Sequence, residues 1–134
     1  MVIGHSFLKK EFGGKPRTGW HLDAFGHSET NARLFADFGF EAQFFARLDR
    51  TEKDQRFKNA TMDFLWRPAA NHFGTQKQIL TSLFRDHYCW IPDFQVNDQD
   101  TFETDDTLES FNAEKKMSKF INYIHEFIYP VHRS

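Results

Sequence analysis

The spacing of apolar residues at the start of the chain predicts a helix followed by a strand. One helix face is formed by Ile3, Phe7, Leu8 and Phe12, so a helix is expected from Val2 to Phe12. The run Gly13-Gly14-Lys15-Pro16 ends this helix, because glycine caps a helix and proline cannot continue one. Arg17–Leu22 then predicts a short strand, and Asp23–His27 the loop that follows it.

The same order repeats after this loop. Ser28 is a suitable N-cap for a second helix, and Glu29 places a negative charge in its first turn. Gly39 ends the helix, and Glu41–Leu48 predicts a second strand. The buried stripe of the helix is predicted to consist of Leu34, Phe35 and Phe38.

The second half of the chain follows the pattern less regularly. A charged helical turn or two is predicted from Asp49 to Lys58, and strands are predicted at Met62–Trp66 and Lys77–Phe84. A polar, acidic connection runs from Asn97 to Ser110. A long amphipathic helix is expected from about Asn112 to Tyr129, before Pro130, with an apolar face of Phe120, Ile121, Ile124, Phe127 and Ile128.

Strands that alternate with helices are typical of a parallel α/β sheet. Three or four parallel strands alone would leave exposed sheet edges, which compact α/β domains avoid. The 134 residues are enough for one domain at most. The pattern therefore predicts that the chain is part of a larger barrel rather than a whole domain.

Composition and charge exclude several classes of protein. The 17 basic and 19 acidic side chains give a net charge of −2, which argues against a nucleic-acid-binding protein because such a protein needs a basic surface. Aromatic residues make up 17% of the chain, which favours a packed core over disorder. Met1–Leu8 lacks the features of a signal peptide, and no stretch is apolar over the length that a membrane span needs.

Three smaller features have limited functional meaning. A single cysteine, Cys89, cannot form a disulfide within the chain. Asn59-Ala60-Thr61 is a sequon, so Asn59 is a candidate N-glycosylation site if the protein is secretory. The acidic residues of the 97–110 connection raise the alternative of a calcium site, but they lack the central glycine and the spacing of an EF-hand loop, which favours a solvated loop.

Asp23 lies where enzymes of the α/β class place their reacting groups. It follows a predicted strand and precedes a helix, and this end of the strands carries the chemistry in nearly every α/β barrel enzyme. His21 lies two residues earlier, so on a strand both side chains point to the same side. Two interpretations stay open: His21 and Asp23 form a metal-binding pair, or His21 lines the barrel and Asp23 acts alone. His27 is expected to be a hydrogen-bonded structural residue.

The segment Gly19-Trp20-His21-Leu22-Asp23-Ala24-Phe25-Gly26-His27-Ser28 closely resembles the signature of glycoside hydrolase family 38, the lysosomal and Golgi class II α-mannosidases. Ala24 stands where the family has a proline, which would stiffen the loop. Beyond Asn71 the resemblance is weaker, with Asp86-His87-Tyr88 as its main point of similarity. Before Asn71 it extends over Gly4–Pro16, Leu34–Phe40, Phe44–Asp49 and Phe64–Arg67.

This resemblance implies a fold and a set of roles. The fold is a partial (β/α)7-type barrel of the glycoside hydrolase/deacetylase-like kind, with parallel strands alternating with helices, and residues 1–134 form a single incomplete catalytic domain. Asp23 is implied to be both the nucleophile and a zinc ligand. Phe25 is implied to line the sugar subsite, Arg47 to lie beside the nucleophile, and Tyr88 to bond the substrate. The His21 position varies in type within the family, which argues against a zinc role for it.

The implied function is zinc-dependent, retaining hydrolysis of terminal α-mannosyl linkages of glycans. The family's His-x-Asp-x-Gly-Trp motif, which supplies two zinc ligands, does not precede Asp23, and the acid/base aspartate and a zinc-binding histidine are expected beyond residue 134. The chain is therefore expected to be part of a longer enzyme of the lysosome or secretory pathway, and to be inactive without the remainder of that enzyme. The alternative is a non-catalytic truncated remnant or a glycan-binding module.

Overall fold

The computed structural model describes residues 1–74, 76–89, 91, 94 and 101–132. Its strands are β1 (Thr18–Trp20), β2 (Ala42–Phe45), β3 (Asp63–Trp66) and β4 (Ile79–Leu83). Its α-helices are α1 (Val2–Phe12), α2 (Glu29–Asp37), α3 (Arg50–Lys58), α4 (Ala70–Phe73) and α5 (Ala113–Tyr123). Helices and strands alternate up to β4, which confirms the α/β class.

The four strands form one sheet in the order β1-β2-β4-β3. β2 is parallel to both β1 and β4, but β3 is antiparallel to β4. The prediction of parallel strands throughout was therefore wrong for β3. A parallel crossover usually needs a helix that packs across the sheet, and the described part of the connection from Trp66 to Ile79 contains only the short helix α4. The sheet described is open, so closure into a barrel stays a prediction.

Helix α2 packs on the sheet through one narrow row of side chains. The Ser28 hydroxyl accepts a hydrogen bond from the Asn31 amide at 3.1 Å, so the predicted N-cap is confirmed. Phe35 is buried and lies directly over Gly19 of β1, where a Cβ atom would come within 2.6 Å of the Phe35 ring. The predicted stripe was wrong at Leu34, which is 45% exposed, because the row that faces the sheet runs through Ala32 and Phe35.

Helix α3 occupies the predicted segment, and its 9 residues make about two and a half turns. The Asp49 carboxylate caps its first turn by accepting a hydrogen bond from the Glu52 amide at 3.1 Å. Glu52 also pairs with Arg56 one turn later, at 2.9 Å. Capping and this ion pair explain why so polar a segment is helical without a buried residue of its own.

The buried side of the sheet holds two apolar clusters. One consists of Ala32, Phe35, Phe40 and Ile79, and the other of Phe45, Met62, Leu83 and Val131. A buried polar pair lies between neighbouring strands, where Gln43 donates to the Thr81 hydroxyl at 3.0 Å. Because side chains alternate along a strand, Trp20 and Phe44 lie on the other face of the sheet, and Trp20 is 64% exposed.

The C-terminal helical segment lies where it was predicted, but its α-helical part is shorter than predicted. It is α-helical to Tyr123, continues as a π-helical turn (Ile124–Ile128) and ends in a 3-10 turn (Tyr129–Val131). The Tyr129 amide donates to the Ile124 carbonyl, and Pro130 has no amide hydrogen with which to continue the α-helical pattern. Within the described ranges, no helix combines the length and apolarity that crossing a membrane requires.

Part of the acidic connection falls outside the described residues, namely Asn97–Asp100. In the part that is described, the Asp105 carboxylate accepts hydrogen bonds from the Thr107 amide at 3.0 Å and the Thr107 hydroxyl at 2.7 Å. These bonds lower the pKa of Asp105. Asp105 thus stabilises a local turn of its own chain.

Candidate active site

The carboxyl ends of the three parallel strands bring three side chains together. Asp23 follows β1, Arg47 follows β2 and Tyr88 follows β4. The Arg47 Nε donates to the Asp23 Oδ1 at 2.5 Å, and the Tyr88 hydroxyl donates to the same oxygen at 2.9 Å. Residues that are far apart in the chain therefore converge because parallel strands end at the same edge of a sheet.

The two donors keep the Asp23 carboxyl ionised. The hydrogen bond from Arg47 contributes most to lowering the pKa of Asp23, and the hydrogen bond from Tyr88 adds to it. The same pair raises the pKa of Arg47. The Asp23 side chain is 54% exposed, so the carboxylate remains accessible to a ligand from solution.

The two oxygens of Asp23 differ in their surroundings. Both hydrogen bonds that Asp23 accepts from described residues fall on Oδ1. Within that part of the chain, Oδ2 has no hydrogen-bond donor. An ionised oxygen of this kind can act as a nucleophile, a base or a metal ligand.

The aromatic ring of Phe25 lies against Arg47, which bonds this carboxylate. The guanidinium carbon of Arg47 is 4.4 Å from the centre of the Phe25 ring, in a cation–π contact. Phe25 is nevertheless 87% exposed, which is unusual for so apolar a side chain. The Arg47 side chain thus touches both the carboxylate and an exposed apolar ring.

Histidines on either side of Asp23 have different surroundings. The ring of His21 lies 6.1 Å from that of Phe35 on α2. His27 is half-buried, and its Nε2 lies 2.7 Å from the carbonyl oxygen of Arg47. The prediction that His27 is hydrogen-bonded is confirmed, but its partner could not be read from the sequence. Among the described residues, no group of three or more His, Cys, Asp or Glu side chains could hold a metal ion.

The segment after β4 places Tyr88 by an uncommon backbone turn. His87 has a φ of 63°, a left-handed conformation that residues other than glycine rarely adopt. Its ring lies 4.1 Å from that of Tyr88. Such strain is often found at functional sites, and here it occurs at the residue before the tyrosine that bonds Asp23.

A second polar pair, which the sequence did not reveal, lies next to this segment. The Tyr123 hydroxyl donates to the Asp86 carboxylate, and burial together with this bond raises the pKa of Tyr123 to about 12. The pair borders a cavity of about 390 Å³, lined in part by Phe44, Phe84 and Ile124. The sequence signal for this pair was the position of Tyr123, a tyrosine within the largely apolar face of α5.

The remaining candidate residues lie on the surface. Asn59 is exposed and follows the last turn of α3, so its side chain is sterically accessible. Cys89 is an exposed free thiol. Neither residue makes a described contact with Asp23.

Comparison with known proteins identifies the family. Residues 1–129 match the N-terminal domain of the glycosyl hydrolases of family 38. The chain is 36% identical over 130 residues to a lysosomal alpha-mannosidase of Dictyostelium discoideum, a match that covers 95% of this chain and 12% of that protein. It is 36% identical over 125 residues to an alpha-mannosidase of Arabidopsis thaliana, covering 90% of this chain and 12% of that protein.

A mammalian relative gives the same result. The lysosomal alpha-mannosidase of Homo sapiens is 35% identical over 130 residues, which covers 91% of this chain and 13% of that protein. The chain thus spans between 12% and 13% of the length of these relatives. Since residues 1–129 match the N-terminal domain of this family, the chain belongs to glycosyl hydrolase family 38.

Proposed function

We propose that this chain carries the nucleophile of a zinc-dependent, retaining α-mannosidase that hydrolyses terminal α-mannosyl linkages of glycans. One observation carries the proposal: an ionised aspartate at the ends of three parallel strands, held through one oxygen by Arg47 and Tyr88. The family and the names of its relatives supply the reaction class. In this proposal residues 1–134 form a single incomplete catalytic domain within a longer enzyme.

Asp23 is proposed to attack the anomeric carbon of mannose through Oδ2. The bond from that carbon to the leaving oxygen breaks, the leaving oxygen takes a proton from a general acid, and a covalent mannosyl-enzyme forms. Water then hydrolyses this intermediate, and the residue that acted as the general acid now acts as the base. In retaining glycosidases the two carboxyl groups are about 5–5.5 Å apart. We assign the acid/base carboxyl to another part of the longer protein.

Arg47 and Tyr88 are proposed to prepare Asp23 for this attack. Their two hydrogen bonds orient the carboxylate before the substrate arrives. They also keep the pKa of Asp23 below its ordinary value, so that the nucleophile is ionised in mildly acidic solution as well as at neutral pH. The Tyr88 side chain is 46% exposed, so its hydroxyl can also bond a substrate hydroxyl next to the carboxylate.

Phe25 is proposed to form a wall of the sugar subsite. Its exposed ring lies against the guanidinium of Arg47, which in turn bonds Asp23. A flat apolar ring at this place can pack against the C–H face of a pyranose while the carboxylate faces the anomeric carbon. Replacement of Phe25 by alanine is expected to weaken substrate binding more than it slows the chemical step.

The described residues do not form a zinc site by themselves, because no group of three or more of their His, Cys, Asp or Glu side chains could hold a metal ion. We propose that Asp23 supplies one ligand and that the others come from the longer protein. Bound zinc would act as a Lewis acid toward sugar hydroxyls. Titration of this chain with zinc alone, followed by calorimetry, is expected to show weak binding. Affinity typical of a complete four-ligand site would contradict this assignment.

The nucleophile assignment is tested by replacing Asp23 with asparagine in the longer enzyme. Release of mannose from an aryl α-mannoside should be abolished, because the amide cannot form the glycosyl ester. Asp54→Asn is the matched control, since Asp54 is an exposed carboxylate on α3 whose pairing with Arg50 is long, at 3.9 Å. If Asp23→Asn retained turnover, Asp23 would not be the nucleophile.

A non-catalytic glycan-binding role is the second candidate. It is favoured by the exposed Phe25 ring. In that case Asp23→Asn would leave mannoside binding intact. The longer protein would not release mannose. The names of the lysosomal relatives support a location in the lysosome or secretory pathway, with mannose-containing glycans as the partner.

A further inference from the structure

The loop that carries Asp23 is attached to the end of β2 on both sides of the carboxylate. Before Asp23, the Leu22 carbonyl accepts a hydrogen bond from the Ala46 amide at 3.3 Å. After Asp23, His27 Nε2 lies 2.7 Å from the Arg47 carbonyl oxygen. Between these two attachments, Asp23 and Phe25 both contact the Arg47 side chain.

Packing fixes the His27 ring in this position. It stacks on Phe45 with ring centres 3.8 Å apart and an interplanar angle of 27°, and Phe45 is 3% exposed. Gly26 has a φ of 147°, a conformation that residues with a side chain rarely adopt, and it allows the loop to bring His27 back to β2. A carbonyl oxygen can only accept a hydrogen bond, so Nε2 of His27 must carry the proton.

We propose that His27 is a positioning residue for the carboxylate site: its Nε2–H holds the Arg47 backbone, and this fixes where the Arg47 side chain meets Asp23. The placement of His27 against the Arg47 backbone follows from the distances alone. Its catalytic meaning rests on the proposed function. A role in packing only would need the ring of His27 but not its hydrogen bond, and suitable substitutions separate these two properties.

The first test needs no variant. Nitrogen-15 NMR of this chain labelled at histidine should show His27 as the Nε2–H tautomer at neutral pH. If the proton were found on Nδ1 instead, Nε2 could not donate to the Arg47 carbonyl and the proposal would fail.

The second test separates the hydrogen bond from the ring. His27→Phe keeps a ring that can stack on Phe45 but removes the donor, whereas His27→Gln keeps a donor close to the position of Nε2. Hydrogen exchange of the Arg47 Nε–H, followed by NMR, should become about tenfold faster in His27→Phe, the change expected when one hydrogen bond is lost. His27→Gln should restore most of the protection. His125→Phe is the matched control, because His125 is an exposed histidine on the C-terminal π-helical turn.

Clear outcomes would overturn the proposal. Unchanged exchange in His27→Phe, or exchange in His27→Gln as fast as in His27→Phe, would assign His27 to packing alone. If His27→Phe does not fold, the tautomer and His27→Gln still decide the question. These measurements involve no turnover, so a failure of the mannosidase proposal in Asp23→Asn would leave them interpretable.

Discussion

Replacing Gly19 by alanine tests whether α2 packs directly against β1, the strand that leads to Asp23. The added Cβ atom would lie 2.6 Å from Cε2 and 2.7 Å from Cδ2 of Phe35. Carbon atoms in contact are normally about 3.5–4.0 Å apart, so the Phe35 ring would have to withdraw by about 1 Å. Phe35 is 4% exposed and packed against Ala32 and Phe40, which leaves it little room.

The expected cost follows from two opposing effects. Overpacking of this kind destabilises a core by about 1–3 kcal/mol. Alanine also restricts the unfolded chain, which stabilises the fold by about 0.4–1 kcal/mol. Gly19→Ala is therefore expected to lower the free energy of unfolding by about 1–2 kcal/mol, measured by urea denaturation.

Gly14 provides the matched control. A Cβ atom there would meet nothing within 4 Å, so Gly14→Ala should change the free energy of unfolding by less than about 0.5 kcal/mol or stabilise slightly. A double-mutant cycle with Phe35→Leu should show coupling of about 1 kcal/mol, because the smaller side chain relieves the clash. Equal stability of Gly19→Ala and Gly14→Ala would refute direct packing of α2 against β1.

Three further predictions concern charge and modification. Arg47→Gln should raise the pKa of Asp23 toward its ordinary value, so the acidic limb of kcat/KM for the longer enzyme should move to higher pH; an unmoved limb would contradict this. Hydrogen bonds from Lys77 and Arg33 lower the pKa of Asp37 in the folded protein. The stability that ionised Asp37 adds to the fold is therefore fully present above its pKa in the unfolded chain, and it is lost as the pH falls through its pKa in the folded protein. Asp37→Asn should therefore flatten the acidic part of the unfolding midpoint plotted against pH, and an unchanged curve would exclude the contribution. Asn59→Gln should remove one glycan from protein made in a secretory system, and equal gel mobility of the two forms would exclude glycosylation at Asn59.

Features that depend on neighbouring residues could be predicted from the sequence. The bounds of α1 and the N-cap at Ser28 follow from apolar spacing, glycine and a hydroxyl at a helix start, and the structure has both. The strand segments were also located, although each strand is shorter than predicted. Strand length depends on which residues find hydrogen-bond partners across the sheet, which a single segment does not specify.

The direction of β3 and the exposure of Leu34 could not be predicted from neighbouring residues in the sequence. An apolar run that predicts a strand does not say to which neighbour it pairs or in which direction. Likewise, the apolar spacing of α2 allows more than one helix face to be buried. The contact between Gly19 and Phe35 selects the face, and that contact joins separate elements of the chain.

The candidate site shows the same division. The sequence by itself singled out Asp23, from its place after a strand and from the surrounding family signature, and the resemblance over Phe44–Asp49 pointed to Arg47. Only the tertiary structure decided that Arg47 and Tyr88 share one oxygen of Asp23 and that His27 holds the backbone of Arg47. Local patterns encode which segments become strands, whereas meeting points between distant residues depend on strand order, register and the turn at His87. Strand order and register are properties of the packed sheet as a whole, because they are set by pairing between segments that are remote in sequence.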